Sequence, residues 1–551
     1  MNILISFNSH IALYIVLLGF IASPWQPLSA SWQPSVVVSN PTIANNTLSG
    51  PVLDVNSQGN AIAVFVDRYS TTFPDENAIS SSFYTRGSGW SNPQIISSLA
   101  LNSFNSPLYE FQGDVQVSMN SSNYAVAVWE GTYNDEPFYR GVFATTRASN
   151  GIWGSVQPLS TPSFSLPAVN INVAVNEIGT AVAAYRSLNT STYKESTLVT
   201  ILPYGGSWSA PLAVSSIEES SGNNINKPWV AINAAGDIVV IWWRAISSNF
   251  YGIDVATYNA GTSTWTPPVT LDSYFNPGVD QNPRCAINDN GNAVAIWLNS
   301  NKEVRSSFFT PSGGWSASNL LDSNGGNAPT VILDAMGNAT ATWPSSSVPG
   351  IIYSSYKPFG SAWSLPIEIS TGIGNMMLPF ESQTPLAVDP DGNVMAVWTD
   401  VNLNVVSSYR LFQQPWQAPE IVFNRSNNIY PSVGLASCGF AVALWLQAVG
   451  PNGTTMAAVN ENILTPFNLT KTNCTQIFAT QKAFLNIFNW GPLPAPCILK
   501  YSIYCNGILI GETSSTDPLQ FIYSRNCRGN CNFTITSTNI WGYESDPVPF
   551  N

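Results

Sequence analysis

Histidine is almost missing from this chain. The 551 residues hold one, His10, and it falls in an N-terminal segment read below as a cleaved leader. A mature chain without histidine has no Ser-His-Asp or Cys-His machinery, no imidazole ligand for zinc and no histidine general base. Charge is scarce as well: Asp, Glu, Lys and Arg make up 9% of the residues, against about 25% in an average soluble domain. Lys and Arg number 19 against 32 Asp and Glu, a formal net charge of −13, and no basic run occurs. Binding to nucleic acid requires Lys and Arg to neutralise phosphates, so no nucleic-acid partner is expected. An anionic membrane surface is disfavoured for the same reason. Long apolar runs are missing too. The one at 11–22, IALYIVLLGFIA, has 12 residues, short of the roughly 20 that span a bilayer.

What is present is apolar and aromatic. Hydrophobic residues make up 44% and aromatics 12%, with 19 Trp, which excludes a disordered chain. The apolar run followed by SPWQPLSA reads as a secretory signal peptide over residues 1–30, although its first ten residues carry no Lys or Arg. An uncleaved anchor is the alternative. The cysteines agree with export to the outside or the cell surface. Of seven, five crowd into the last 80 or so residues: Cys474, Cys497, Cys505, Cys527 and Cys531. These five are the disulfide candidates. The Cys527/Cys531 spacing also suits metal ligands, but with no second such pair and no histidine no metal is expected. No cofactor is expected either.

Two phrases recur eight times each. The first reads GNAIAVF (59–65), NYAVAVW (123–129), GTAVAAY (179–185), GDIVVIW (236–242), GNAVAIW (291–297), GNATATW (337–343), GNVMAVW (392–398) and GFAVALW (439–445). An aromatic sits six residues after the Gly or its Asn substitute. Both alternating faces of this stretch are apolar, as in a strand covered on both sides. The N-x-x-G and D-P-D-G turns before it are tight hairpins in which Gly supplies positive φ. The second phrase is built on Trp, from SWQPSVVVS (31–39) to PWQAPEIVF (415–423). Each unit of about 54 residues reads as a four-stranded antiparallel meander. Such units, stacked face to face, predict an all-β chain whose residues 31–462 form an eight-bladed β-propeller; a sandwich array or a solenoid is the alternative. The Trp phrase precedes the first Gly phrase and none follows the last. The strand at Trp32 is therefore expected to complete the last blade, beside 405–410 or 454–460. The recurring Trp residues read as fillers of the wedges between blades.

The pattern resembles bacterial secreted propellers, both lectin-like ones and sialidase-type ones carrying the S-x-D-x-G-x-x-W box. The resemblance is one of architecture, because Trp398 lies six residues after Gly392 rather than three. No catalytic residue carries over. Residues 465–551 break the repeat. AFLNIFNW ending at Trp490, LKYSIYCNGILIGETSS (499–515) and CNFTITSTNIWGYESDP (531–547) are similar to fibronectin type III domains, with Phe533 where that family has Tyr. The resemblance implies a β-sandwich of about 80 residues serving as a spacer or adhesive unit; a generic immunoglobulin-like sandwich is the alternative.

Function is sought where the repeats disagree. The residues just after each Gly-phrase aromatic vary: Asp67, Arg68, Tyr69, Glu130, Tyr133, Arg186, Arg244, Asn299 and Asp400. Many of the chain's few charges fall there, beside aromatics such as Phe250, Tyr251, Tyr274 and Phe275. Aromatic and polar groups converging in a concave site suit ligand binding, and the longer loops of the first four units predict a lopsided pocket. Solvated loop ends are the plainer alternative. The expectation is a secreted or surface-exposed, monomeric, non-catalytic binding or adhesion protein that recognises an extracellular glycan or protein ligand and is not embedded in a membrane. A carbohydrate-active enzyme using Asp67, Glu130 and Asp400 and a structural surface component are the alternatives.

Overall fold

The computed structural model describes residues 32–39, 50–68, 77–97, 111–133, 136–160, 168–189, 194–215, 219–220, 228–247, 250–275, 283–348, 350–370, 385–449, 452–461, 469–477, 482–491, 497–524, 531–539, 542, 544–545 and 547–550. The segment read as a signal peptide lies outside them. No helix of the described residues is long and apolar enough to cross a membrane.

Each Gly phrase forms the second strand of an antiparallel sheet. These strands are Ala61–Arg68, Ala125–Tyr133, Ala181–Asn189, Ile238–Ser247, Ala293–Leu298, Ala339–Pro344, Val394–Thr399 and Ala441–Val449. Their apolar residues are buried on both faces, from Ala61 through Val66 in the first to Ala441 through Leu446 in the last. The first strands of successive sheets touch one another in a closed cycle. It runs from Val52–Val55 through Phe111–Met119, Ala168–Val175, Trp229–Ile232, Arg284–Ile287, Thr330–Leu333, Leu386–Val388 and Asn428–Leu435 back to Val52–Val55. An all-β chain of repeated four-stranded antiparallel sheets in this order is consistent with a propeller.

The last sheet of the cycle is completed by the N-terminus. Val36 pairs with Ala457 and Val37 with Met456, and Trp32 bridges Asn460. Of the two sites expected for this strand, 454–460 is the one used. At the junction with the first sheet, Arg86 pairs with Glu461 at 2.9 Å and its guanidinium lies 3.9 Å above the Phe440 ring. Gly59 beside it has φ +84°, and a Cβ there would meet Arg86 at 2.9 Å and Phe440 at 3.0 Å. Glycine is thus required twice over.

Two side-chain systems tie neighbouring sheets. The first starts from the asparagine that opens each N-x-x-G turn, or the N-x-x-N turn of the second sheet. Its Oδ1 accepts N–H groups of its own turn, as Asn56 does from Gln58 at 3.1 Å and Asn60 at 3.0 Å. Its Nδ2 donates to the turn of the next sheet: Asn56 to Asn120 O, Asn120 to Asn176 O, Asn176 to Asn233 O, Asn233 to Asn288 O and Asn288 to Asp334 O, at 3.1–3.4 Å. The ladder stops at Asp334 because a carboxylate has no proton to donate. Asp334 and Asp389 instead accept from Asn338 and Asn393 of their own turns, both at 2.8 Å.

The second system is built from the Trp phrase. Trp363, Trp416 and Trp32 donate their indole N–H to Ser306, Ser354 and Ser407 of the preceding sheet, at 2.9, 3.1 and 2.9 Å. Trp297 and Trp343 of the second strands donate to Asp272 and Asp322, both at 3.0 Å. The recurring tryptophans fill the seams between sheets, as their recurrence implied.

Residues after 468 form a three-stranded sheet, Thr470–Ile477, Lys482–Asn489 and Gln520–Ser524. A four-stranded sheet, ordered Ile508–Ser514, Ile498–Cys505, Phe533–Asn539 and Val548–Pro549, faces it. The two share one core around Phe488, Trp490, Tyr501, Ile503, Phe533 and Ile535.

The disulfides correct one expectation. Cys505 pairs with Cys531, inside the tail as expected, but Cys497 pairs with Cys438 of the last sheet in the cycle, with Cα atoms 5.4 Å apart. The reason is tertiary: the turn Ser437–Gly439 brings Cys438 to the start of the strand Ile498–Cys505. The side chain of Cys474 and all of Cys527 lie outside the described residues, and Cys285 is a buried free thiol. Two consequences follow. Non-reducing peptide mapping should recover a 438–497 cross-linked peptide. Replacing Cys438 and Cys497 together with Ser should cost about 2–4 kcal/mol of stability. Recovery of Cys438 as a free thiol would overturn the pairing.

Candidate functional site

All eight second strands start two residues after the Gly position, so differences in strand length appear at their far ends. In the fifth to seventh sheets the second and third strands run 6 or 7 residues. In the eighth, first, second, third and fourth sheets, which are consecutive in the cycle, they run 8 to 12. At about 3.3 Å per residue, three extra residues raise those hairpins by roughly 10 Å. The greater length expected of the first four units is present in their hairpins, and the eighth sheet shares it.

The residues proposed from sequence sit at these ends with most of their polar atoms engaged. Arg186 donates from Nη2 to Glu195 Oε1 at 2.7 Å and from Nη1 to Asn170 Oδ1 at 3.1 Å. Glu130 Oε1 accepts the backbone N–H of the same Asn170, which has φ +56° and lies in a bulge of its strand. Asn170 thus joins Glu130 to Arg186, a role the sequence did not signal. Burial pushes the Arg186 guanidinium down and the Glu195 carboxyl up, against the pull of their own ion pair.

Arg244 donates to Asp254 at 2.5 and 3.3 Å and to Thr270 Oγ1 at 3.2 Å. Asn299 donates to Glu303 Oε2 at 2.6 Å, and its Oδ1 holds the N–H groups of Asn301 and Glu303. Asp400 accepts from Asn402 N and Asn404 N and from Asn404 Nδ2, at 2.8–2.9 Å. These last two side chains therefore shape the short turns of the fifth and seventh sheets. Arg68 and Tyr133 are described for the backbone alone, and Tyr69 lies outside the described residues.

Asp67 differs from the others. It is 6% exposed and its Oδ1 has no hydrogen-bond partner among the described residues. Burial pushes its carboxyl up to about 7, opposed by a hydrogen bond with Ser80.

Aromatics concentrate on the fourth-sheet hairpin. Trp243 stacks on Tyr251 at 4.7 Å on the face packed against the fifth sheet. On the other face, with Arg244 and Asp254, the register places Phe250 opposite Phe275, ring centroids 5.2 Å apart. Phe275 is 72% exposed.

No family model and no curated protein matches the chain. Among solved structures, similarity extends to the BP39L lectin of Burkholderia pseudomallei, at 11% identity and TM-score 0.46 over 69% of this chain and 100% of that one. It extends also to an alpha-L-arabinanase of Penicillium chrysogenum complexed with arabinobiose, at 11% identity and TM-score 0.38 over 78% of this chain and 99% of that one. The NanB sialidase of Streptococcus pneumoniae is similar at 12% identity and TM-score 0.34, over 78% of this chain and 71% of that one.

Proposed function

We propose that the eight sheets are the blades of an eight-bladed propeller over residues 31–462, closed by the N-terminal strand and followed by a fibronectin type III-like module over 465–551. On this reading the chain is secreted or surface-exposed and binds an extracellular ligand, a glycan in the first instance, through the raised hairpins. The observation that carries the reading is the fourth-sheet hairpin. It presents the exposed ring of Phe275 beside Phe250, over an Arg244–Asp254 pair whose geometry is already set. An apolar ring next to fixed polar heads stacks a sugar face and orients its hydroxyls without further ordering. Apart from Asp67, the carboxylates at this face are tied up in turns, backbone contacts and ion pairs, which supports binding rather than chemistry.

Phe275→Ala tests it, because removing an exposed ring leaves the fold alone. On a ligand found by glycan array, affinity should fall roughly two- to ten-fold, the equivalent of a stacking contact, with the melting temperature unchanged. Unchanged affinity would remove this face from recognition. Asp67 favours a second reading: a buried carboxyl that keeps its proton near neutral pH is suited to general-acid work on a glycosidic oxygen. Cleavage of chromogenic glycosides by the wild type, lost in Asp67→Asn, would replace binding by catalysis.

A further inference from the structure

The Trp–Ser bonds across the seams have one exception that is not explained by residue type. The serine acceptors Ser306, Ser354 and Ser407 occupy one position in the third strands of their sheets, directly after the residue paired with the second-strand tryptophan. In the second, third, fourth and eighth sheets the same position holds Ala144, Val199, Val255 and Ala457. There the next tryptophan has no hydroxyl to reach, and the Trp90 indole N–H is accordingly left without a partner. The first sheet has the serine, Ser81, and the second sheet has the tryptophan, Trp153, yet no hydrogen bond joins them. Both line a cleft of about 410 Å³ instead, together with Phe83, Trp90, Gln94 and Arg147. This volume is in the range of small-ligand sites.

Arg147 sets the chemistry of that cleft. It is 8% exposed, its guanidinium lies 3.8 Å over the Phe83 ring, and Nη1 donates to Asn123 O at 3.0 Å. It has no acidic partner among the described residues. Arg86, Arg186, Arg244 and Arg305 each have one, at 2.9, 2.7, 2.5 and 2.8 Å. A buried cation without a counter-ion is costly, the more conspicuously in a chain of net charge −13. The rest of the lining is two indoles, the Phe83 ring, two glycines and neutral hydroxyl and amide side chains, with no carboxylate.

We propose that this seam cleft is a binding site for an acidic saccharide, a pyranose bearing a carboxylate, with Arg147 holding the carboxylate and the indoles of Trp90 and Trp153 flanking the ring. The site is independent of the raised hairpins, because Thr85, Gly89 and Gly151 in its lining belong to turns at the opposite ends of the third strands. A guanidinium–carboxylate contact supplies charge and orientation together, and the indoles distinguish a sugar from a simple anion.

Calorimetric titration of the full chain with hexuronate oligosaccharides, their methyl esters, neutral hexose oligomers and a triglutamate peptide tests this. The uronates should bind, and the esters and neutral sugars at least ten-fold more weakly. Arg147→Gln should weaken uronate binding by roughly ten- to a hundred-fold, the loss expected for a hydrogen bond to a charged group. Asn92→Trp fills the cleft from an exposed position and leaves Arg147 in place, so it should abolish binding without lowering the melting temperature. Equal binding of the esters, unchanged binding by folded Arg147→Gln, or no binding of uronates at millimolar concentration would each overturn the proposal. Triglutamate binding as tightly as uronate would overturn the saccharide assignment. Uronate binding lost in Phe275→Ala and kept in Arg147→Gln would place the ligand on the hairpins instead.

Discussion

Deleting residues 31–40 should lower the thermal stability of the whole sheet cycle sharply, far more than any single surface substitution. The segment supplies the outermost strand of the eighth sheet through Val36 and Val37. It adds backbone bonds from Gln33 to Val459 and from Val38 to Thr455, both at 2.8 Å, and an acceptor for Thr455 N in Ser39 Oγ. Val38 is 2% exposed in a cluster with Ala63, Phe65 and Leu444, so one side chain bridges the first and eighth sheets. Trp32 reaches the seventh sheet through Ser407. Burial of Val38 and part of Trp32, at about 1.5–3 kcal/mol for a full side chain, and four or five hydrogen bonds at about 1 kcal/mol each put the loss on the order of 5 kcal/mol. The deletion also exposes the edge of Asn452–Asn460 to foreign strands, so aggregation should rise with it. Trp32→Ala, which removes only the reach to the seventh sheet, should cost a fraction of that. A deletion variant that melts at the wild-type temperature would show that the cycle is held by something other than its N-terminal strand.

That closure was legible because a repeat leaves its own remainder: a Trp phrase in front and none behind. The second strands were legible for a similar reason, since apolar residues on both faces have no reading except burial on both sides. What escaped the sequence depends on partners in other sheets. Asn56 and its successors read as turn residues, and so they are. Their Nδ2 groups act on turns 46 to 64 residues away in the chain, a distance no local pattern spans. The pairing of Cys438 with Cys497 is of the same kind. The charged residues after the aromatics are a different case. Arg186 lies opposite Thr197 and Arg244 opposite Gly252, so Glu195 and Asp254 are diagonal cross-strand neighbours two residues away. Counting across each hairpin finds both partners. Both arginines are therefore engaged within their own hairpins rather than free as ligand heads.

Stability should also fall as the pH rises from about 4 to about 7, the reverse of the usual loss of carboxylate ion pairs in acid. Four carboxyls carry most of the effect, and Glu195, also raised by burial, adds to it in the same sense. Asp54 accepts Met119 N of the next sheet at 2.7 Å and Val55 N at 2.8 Å, but burial outweighs these bonds and pushes it up to about 6. Asp389, in its turn with Asn393, is pushed up to about 6 by burial, with Asp391 adding to it. Asp67 is pushed up to about 7 in the same way. Glu420, in the seam beside Trp32 and Ser407, is also pushed up to about 7 by burial, which outweighs the opposing effect of those two polar neighbours. In the unfolded chain these groups titrate near 4. Between there and pH 7 the folded state therefore binds more protons than the unfolded one, and the free energy of unfolding decreases with rising pH across that window and levels off above it. Glu303, held down chiefly by Arg305, works in the opposite sense, and only below its ordinary value. Each pH unit between the ordinary and folded pKa of one group corresponds to about 1.4 kcal/mol. Partial relaxation around the four should leave a net effect on the order of a few kcal/mol and a melting temperature several degrees higher at pH 5 than at pH 8. Asp67→Asn with Glu420→Gln removes two of the four titrations, so the double variant should gain most at pH 8 and show a flatter profile. A wild-type profile that rises from pH 5 to pH 8, or a double variant with the wild-type slope, would assign the pH dependence to other groups.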